Sequence, residues 1–474
     1  MKRKLLTILL SIACIFCLAF GLTACFDDDN SGNQSSTEQS GTNNGEEEKK
    51  KQEEEEKKKQ EEESAGSGNG DGGKNDGEGS GSGNGNTTNP DGEKEGDNSD
   101  KKEKPKPVKG TEGLEYTLNE DAVSYSCTGI GTATETEIVV ANYYNDLPVT
   151  DIGTWAFYNC ASFTKITISD GLTTIGYCAF NNCTSLESIT IPDSVIEIGE
   201  NAFSYCDSLE SITIPDGVTE IGENAFSYCT SLASVTIPDR VTSIGVYAFY
   251  FCESLESITI PDSVTEIGDS AFGGCTSLTS AIIGNGVTSI VSRAFSGCTS
   301  LASITIPDGI TSIGIYAFAS CTSLASITIP DSVTSIGENA FSSCENLESV
   351  TIGNGVTSIG TMAFIWCTSL ASVTIGNSVT SIDSLTFSSC ISLTSITIPA
   401  GVTSIGNSAF YGCTSLASVY YKGTAEEWED ISIDLYNTCL TDATRYYYSE
   451  QQPTTPGNFW HYVDGEIVVW TKEN

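Results

Sequence analysis

Apolar residues recur along most of this chain with a step of 23 residues, cleanest at residues 321–343, CTSLASITIPDSVTSIGENAFSS. A fixed period of this length marks a solenoid, in which each repeat is one coil that buries its apolar edge only against its neighbours. Cysteine keeps the step without insertion at Cys160, Cys183, Cys206, Cys229, Cys252, Cys275, Cys298, Cys321, Cys344, Cys367, Cys390 and Cys413. Phenylalanine runs three residues ahead of it, from Phe157 to Phe410. Within one coil, Leu324, Ile327 and Ile329 give an LxxIxI run whose last part alternates like a strand. Pro330-Asp331 then turns the chain, because proline fixes φ and has no N–H for a ladder. Val333 and Ile336 make a second short inward segment, Gly337 permits a bend, and Ala340-Phe341 predict a single helical or 3₁₀ turn. The expected fold is therefore mainly β with short helical or 3₁₀ turns, a solenoid of about twelve coils over residues 151–420, capped at both ends. At ~4.8 Å per stacked strand it is roughly 55–60 Å long.

Outside the repeat the pattern changes three times. Lys2-Arg3-Lys4, an apolar run from Leu5 to about Gly21, and Leu22-Thr23-Ala24-Cys25 have the layout of a secretory signal over residues 1–25. This stretch closely resembles a bacterial lipoprotein signal, which implies lipid attachment at Cys25. The run is shorter than the ~20 residues a membrane span needs. Residues 26–112 carry no apolar period and are rich in Asp, Glu, Lys, Gly, Ser and Asn, a composition that cannot offset ordering entropy and predicts an acidic disordered tether. At ~5–6 Å × √n, such a tether holds the folded part roughly 50 Å from its anchor. Within it EEEKKKQEEEEKKKQEEE, residues 46–63, has the Glu-to-Lys spacing of a short solvated helix. Residues 113–150 contain strand-like Leu114–Leu118 and Glu137–Val140 off the 23-residue step, as an N-terminal cap would. Residues 421–474 predict a C-terminal cap with a helix near Trp428 and a hairpin across 459–470 turning at Asp464-Gly465.

Charge and composition narrow the function. A formal net charge of −41 argues against nucleic acid, which needs a basic face. Between Ile166 and Tyr421 the basic residues are Arg240 and Arg293, and His461 is the one histidine of the chain. Metal sites built on histidine, Ser-His-Asp triads and Cys-His dyads all need imidazole beside a partner. The sequence thus offers no enzyme, no catalytic residue, no cofactor and no metal site.

The LxxIxIP…VxxIGxxAFxxC unit, with VYYKGTAEEW and FWHYVDG beyond it, is similar to the bacterial leucine-rich repeats of the BspA-like, or Treponema-type, class. The resemblance covers about residues 113–474. It implies a surface-exposed protein that adheres to matrix proteins or cells, with no shared catalytic residues. The chain departs from its own unit at Ala281, Ile282, Val291, Asp383, Leu385 and Thr386.

Several rows remain as candidate chemistry. The cysteine ladder is expected to be free buried thiols, since cysteine behaves as a small apolar side chain and stacked Cβ atoms ~4.8 Å apart exceed the ~3.8 Å a disulfide favours. Pairing of Cys127, Cys178 and Cys439 is left open. Asp193, Asp216, Asp239, Asp262, Asp308 and Asp331 line one edge, more simply as solvated turns than as a calcium row, because Asn285, Asn354, Asn377 and Ala400 interrupt them. Outward on the strand lie Ser188 and Thr190, Ser211 and Thr213, Ser234 and Thr236, Ser257 and Thr259, Ser303 and Thr305, Ser326 and Thr328, Ser349 and Thr351, and Ser372 and Thr374. Beside them the position after leucine varies between Glu187, Glu210, Glu256 and Glu348 and Ala233, Ala302, Ala325 and Ala371. Threonine simply suits an exposed strand, but solenoids also bind along such faces. Trp460, Tyr462 and Trp470 could stack on a sugar or choline-like cation, though covering the last coil is the stronger expectation.

The order of anchor, tether and repetitive face predicts a non-enzymatic, lipid-anchored surface protein, an adhesin for an extracellular protein or glycan. A structural spacer of the envelope is the alternative, favoured by near-identical coils. An ice-binding array, by analogy with flat threonine rows, is a third.

Overall fold

The computed structural model describes residues 106–470, so Cys25, the signal-like segment, the predicted helix at 46–63 and most of the predicted tether lie outside it. The described chain is a stack of coils, mostly β with very few helices, and makes about 14 turns of ~23 residues.

Three hydrogen-bonded seams join each coil to the next. The first is the longer strand, as at Ser326–Ile329, paired in parallel with Ser349–Ile352 so that Ser meets Ser, Ile meets Val and Thr meets Thr. The second is the two-residue strand, as at Ser335–Ile336, which pairs with Ser358–Ile359. The third is the pair of turns through NAFSS, where the N–H of Phe341 donates to the carbonyl of Ala363 at 2.8 Å and that of Ser343 to Ile365 at 2.9 Å. The single helical turn expected at Ala340-Phe341 is instead two consecutive turns. Each contains a left-handed residue, Asn339 (φ 55°) and Ser343 (φ 58°), and the same two positions repeat with positive φ through the array, often in large residues such as Tyr205, Tyr247 and Trp366. Left-handed backbone costs a non-glycine residue energy; here the paired N–H and C=O groups of the neighbouring coils hold it in place.

The interior consists of columns. Phe157 through Phe410 stack ring on ring, with centroids 5.2 to 5.7 Å apart, and are fully buried. Leu324, Val333, Ile336 and their equivalents are likewise buried. Gly337 is needed for close approach between coils. A Cβ there would lie 2.6 Å from the backbone carbon of Gly314, whereas its own φ is not left-handed.

The ladders continue past the regular repeat at both ends, which accounts for the turns beyond twelve. Glu137–Val140 pairs in parallel with Lys165–Ile168. A strand at Tyr125–Gly129 pairs in parallel with Leu147–Ile152 and antiparallel with Glu115–Leu118, closing the N-terminal end. At the other end Ser418–Tyr421, Thr444–Tyr448 and Phe459–Val463 extend the parallel sheet, and Glu466–Val469 returns antiparallel through a turn with Asp464 (φ 53°) and Gly465 (φ 88°). Helix α1, Ala425–Glu429, starts at a capping box: Thr424 accepts from the Glu427 N–H, and Glu427 accepts from the Thr424 N–H at 2.8 Å. A second helix, α2 at Thr438–Asp442, follows Asn437. The buried Asn437 side chain accepts from the Phe410 N–H at 3.0 Å and donates to the Gly406 carbonyl at 2.9 Å, standing in for the backbone of a missing next coil.

Candidate binding face

Alternation in the longer strand sends Ile inward and Ser and Thr outward, so the burial of Ser257–Ile260, Ser326–Ile329 and Ser349–Ile352 alternates exposed and buried residue by residue. Stacking in register then gathers the outward residues into two rows. Thr190, Ser211, Thr213, Ser234, Thr236, Ser257, Thr259, Ser303, Thr305, Ser326, Thr328, Ser349, Thr351, Ser372 and Thr374 are exposed and Ser188 is half-buried. Glu187, Glu210, Glu256 and Glu348 are exposed beside them. The rows end where Thr397 is buried and the next strand places Tyr420 at its register position.

A second threonine set makes the comparison informative. On the short-strand side Thr265 donates to the Thr242 carbonyl at 3.3 Å, Thr311 to Thr288 at 3.0 Å, Thr334 to Thr311 at 3.0 Å and Thr357 to Thr334 at 3.1 Å. Those hydroxyls bind one coil to the next. Among the described residues the hydroxyls of the strand-face rows have no hydrogen-bond partner in the protein, so their donors and acceptors face solvent. Nothing in the spacing of serines and threonines distinguished the two sets, because both recur with the same period.

The rows are interrupted once. Ile282 takes the threonine position beside Thr259 and is 62% exposed. It borders a shallow groove of about 730 Å³ that also includes Thr236, Thr259, Asp239, Asp262 and Asn285. Asp262 accepts from the backbone N–H of Asn285 at 2.7 Å, and Asp331 does the same for Asn354 at 2.6 Å. At these two coils the acidic edge therefore serves coil-to-coil hydrogen bonding. Among the described residues no group of three acidic, cysteine or histidine side chains is placed to hold a metal ion.

Each ladder cysteine from Cys183 to Cys413 is buried, with its thiol donating to the carbonyl of the phenylalanine 26 residues earlier, as Cys321 does to Phe295 at 3.2 Å. Burial pushes the Cys275 and Cys344 thiols up to about 12. Cys160 and Cys439 are half-buried free thiols, while Cys127 and Cys178 are buried ones.

The terminal aromatics divide. Trp460 is fully buried and donates to the Tyr421 carbonyl at 3.0 Å, so its ring is closed to a ligand. Trp470 is half-buried, stacked on His461 at 3.8 Å and bonded to the Ser449 carbonyl. Tyr462 is exposed and packs by its edge against Trp460. A different aromatic group lies on the turn edge of the third seam. Tyr205, Tyr228 and Phe251 stack at 4.6 and 5.3 Å, with Tyr247 and Tyr250 against them. The signal for it was a tyrosine or phenylalanine directly before three consecutive ladder cysteines.

Coils of this length, with a parallel strand face, buried ladders and capped ends, define a leucine-rich-repeat solenoid. The BspA type leucine rich repeat region matches residues 150–279, 265–392 and 334–444, together more than half of the chain, and the protein belongs to that family. A leucine-rich repeat protein from Bacteroides ovatus is similar in structure, with 28% identity, TM-score 0.54, and coverage of 71% of this chain and 87% of that one. A leucine rich cell surface protein from Faecalibacterium prausnitzii shares 31% identity over 70% of this chain and 99% of its own, with TM-score 0.42. No curated protein matches the chain.

Proposed function

We propose that this chain is a non-enzymatic, surface-displayed binding protein, an adhesin that engages an extracellular protein or glycan through the strand face. The observation that carries the reading is the contrast between the two hydroxyl sets: the strand-face rows, repeated in register and flanked by Glu187, Glu210, Glu256 and Glu348, keep their hydrogen-bonding capacity for something outside the protein. Membership of a repeat family and the absence of imidazole from the whole array support a role without catalysis. The Lys2-to-Cys25 layout supports export and lipid attachment at Cys25, with residues 26–112 as the tether.

The test displays the full chain on cells beside a version whose strand-face Ser and Thr are exchanged for Ala and Val in coils 211–351, and scores adhesion to immobilised matrix proteins, mucins and glycans. Loss of adhesion in the exchanged version is expected. Adhesion that is equal in both, with the exchanged protein still folded, would favour a spacer that sets reach instead of recognition.

A further inference from the structure

The aromatic group on the turn edge belongs neither to the core nor to the strand face. Tyr205 is 45% exposed and Tyr247 38% exposed, and Tyr228, Tyr250 and Phe251 are half-buried around them. The fold does not require rings at this position, because the equivalent residues in other coils include Asn182, Gly274, Gly297, Ser320 and Ser343, with a lone ring again at Trp366, and the backbone ladder is the same. The same coils are acidic, with ten Asp and Glu against Arg240 alone over residues 183–251. Asp207 and Glu253 each lie two residues after a ring of the column, and Glu200 and Glu223 lie in the same turns. All four carboxylates are exposed, and among the described residues the one ion pair is Lys165 with Glu137, elsewhere in the fold. Farther along this edge the protein supplies its own cation in such a setting: the Arg293 guanidinium sits 5.0 Å over the Tyr316 ring.

We propose that the turn edge of residues 200–253 is a docking surface for an arginine-rich polypeptide. Electron-rich ring faces and edges attract a guanidinium, and arginine stacks on aromatic rings better than lysine does. The exposed carboxylates of the same turns, none of them in an ion pair, complete its hydrogen bonding in the bidentate fashion a planar fork allows. The steady step between coils lets successive rings and carboxylates meet successive side chains of an extended partner. This surface is distinct from the strand face, and its occupancy is independent of adhesion through that face.

The full chain is titrated with fluorescent oligo-arginine and oligo-lysine of equal length, and bound peptide is photo-crosslinked and mapped. Cross-links within residues 200–253 and tighter binding of oligo-arginine are expected. Tyr205→Ser with Tyr228→Asn, residues that neighbouring coils already hold at this position, is expected to lower the edge affinity about tenfold while keeping the melting temperature. Glu200→Gln with Glu223→Gln should weaken it likewise, and Glu187→Ala with Glu210→Ala, the same charge removed from the strand face, should change it less than about twofold. Cross-links confined to the segment before residue 106 or to the strand face overturn the proposal. So does equal loss in both charge variants, or no loss on removing the tyrosines, since either reduces the binding to net charge.

Discussion

Residues 187–269 and 270–420 have the same interior and different exteriors. In both stretches the phenylalanine rings stack at 5.2 to 5.7 Å and the ladder thiols donate to phenylalanine carbonyls. Outside, the first stretch carries 15 acidic residues against Arg240 alone, and the second carries 6 against Arg293 alone. The turn edge of the first stretch also holds the three consecutive rings of Tyr205, Tyr228 and Phe251, where the second has Gly274, Gly297, Ser320, Ser343, Ser389 and Gly412 and the single ring of Trp366. An interior residue must fit the coil on each side of it, so a change there is felt twice. An exterior residue meets water and is free to differ. The asymmetry of charge and rings is therefore not a demand of the fold, and it is the part of the molecule on which recognition can depend.

Shared interiors predict shared failures. The largest is alkaline. The Cys229 thiol of the first stretch and the Cys275, Cys344 and Cys413 thiols of the second are all pushed by burial from the ordinary 9.0 up to about 12. Below pH 9.0 these thiols are protonated in both folded and unfolded chains and add no pH dependence. Between 9.0 and about 12 the unfolded chain has lost protons that the folded one keeps, so stability falls with rising pH. Urea melts across this range should show a decline that Cys344→Ala makes shallower. A chain whose stability is flat from pH 9 to 11 would contradict the buried-thiol ladder.

Next in size, Phe226→Ala and Phe341→Ala should each cost about 3–5 kcal/mol of unfolding free energy, with little difference between them. A marked inequality would break the claim that the two interiors are equivalent. Gly245→Val and Gly337→Val place a Cβ 2.6 Å from backbone of the preceding coil and should cost about 1–3 kcal/mol or more, read from the same melts.

The smallest effects sharpen the distinction between hydroxyl sets. Thr334→Val removes the bond to the Thr311 carbonyl and should cost about 0.5–1.5 kcal/mol. Thr328→Val, on the strand face, should leave stability within about 0.5 kcal/mol. If both substitutions cost the same, the strand-face hydroxyls have a structural partner and the binding reading loses its footing.

Much of this molecule was legible in one dimension. The 23-residue step exposed the columns of Leu, Ile, Val, Phe and Cys, the strand at Ser326–Ile329 and the hairpin at Asp464-Gly465, because burial and turn chemistry are properties of single residues and their spacing. The turns around Ala340-Phe341 were less legible. Left-handed φ at Tyr205 or Trp366 contradicts local preference and exists only because the neighbouring coils bond to both sides of the peptide. Gly337 was read as a bend, yet its lack of a side chain serves the approach of Gly314, 23 residues away.

The sequence by itself determined the period, the inward and outward alternation and the coil-by-coil composition, since each follows from which residues avoid water and how often they recur. Only the tertiary structure decided which threonines are bound and which are free, how Asn437 ends the ladder, and that five aromatic residues spread over 47 positions meet on one edge. Those outcomes depend on the register between coils. That register is set by hydrogen bonds and contacts a whole repeat apart, which no local stretch of sequence contains.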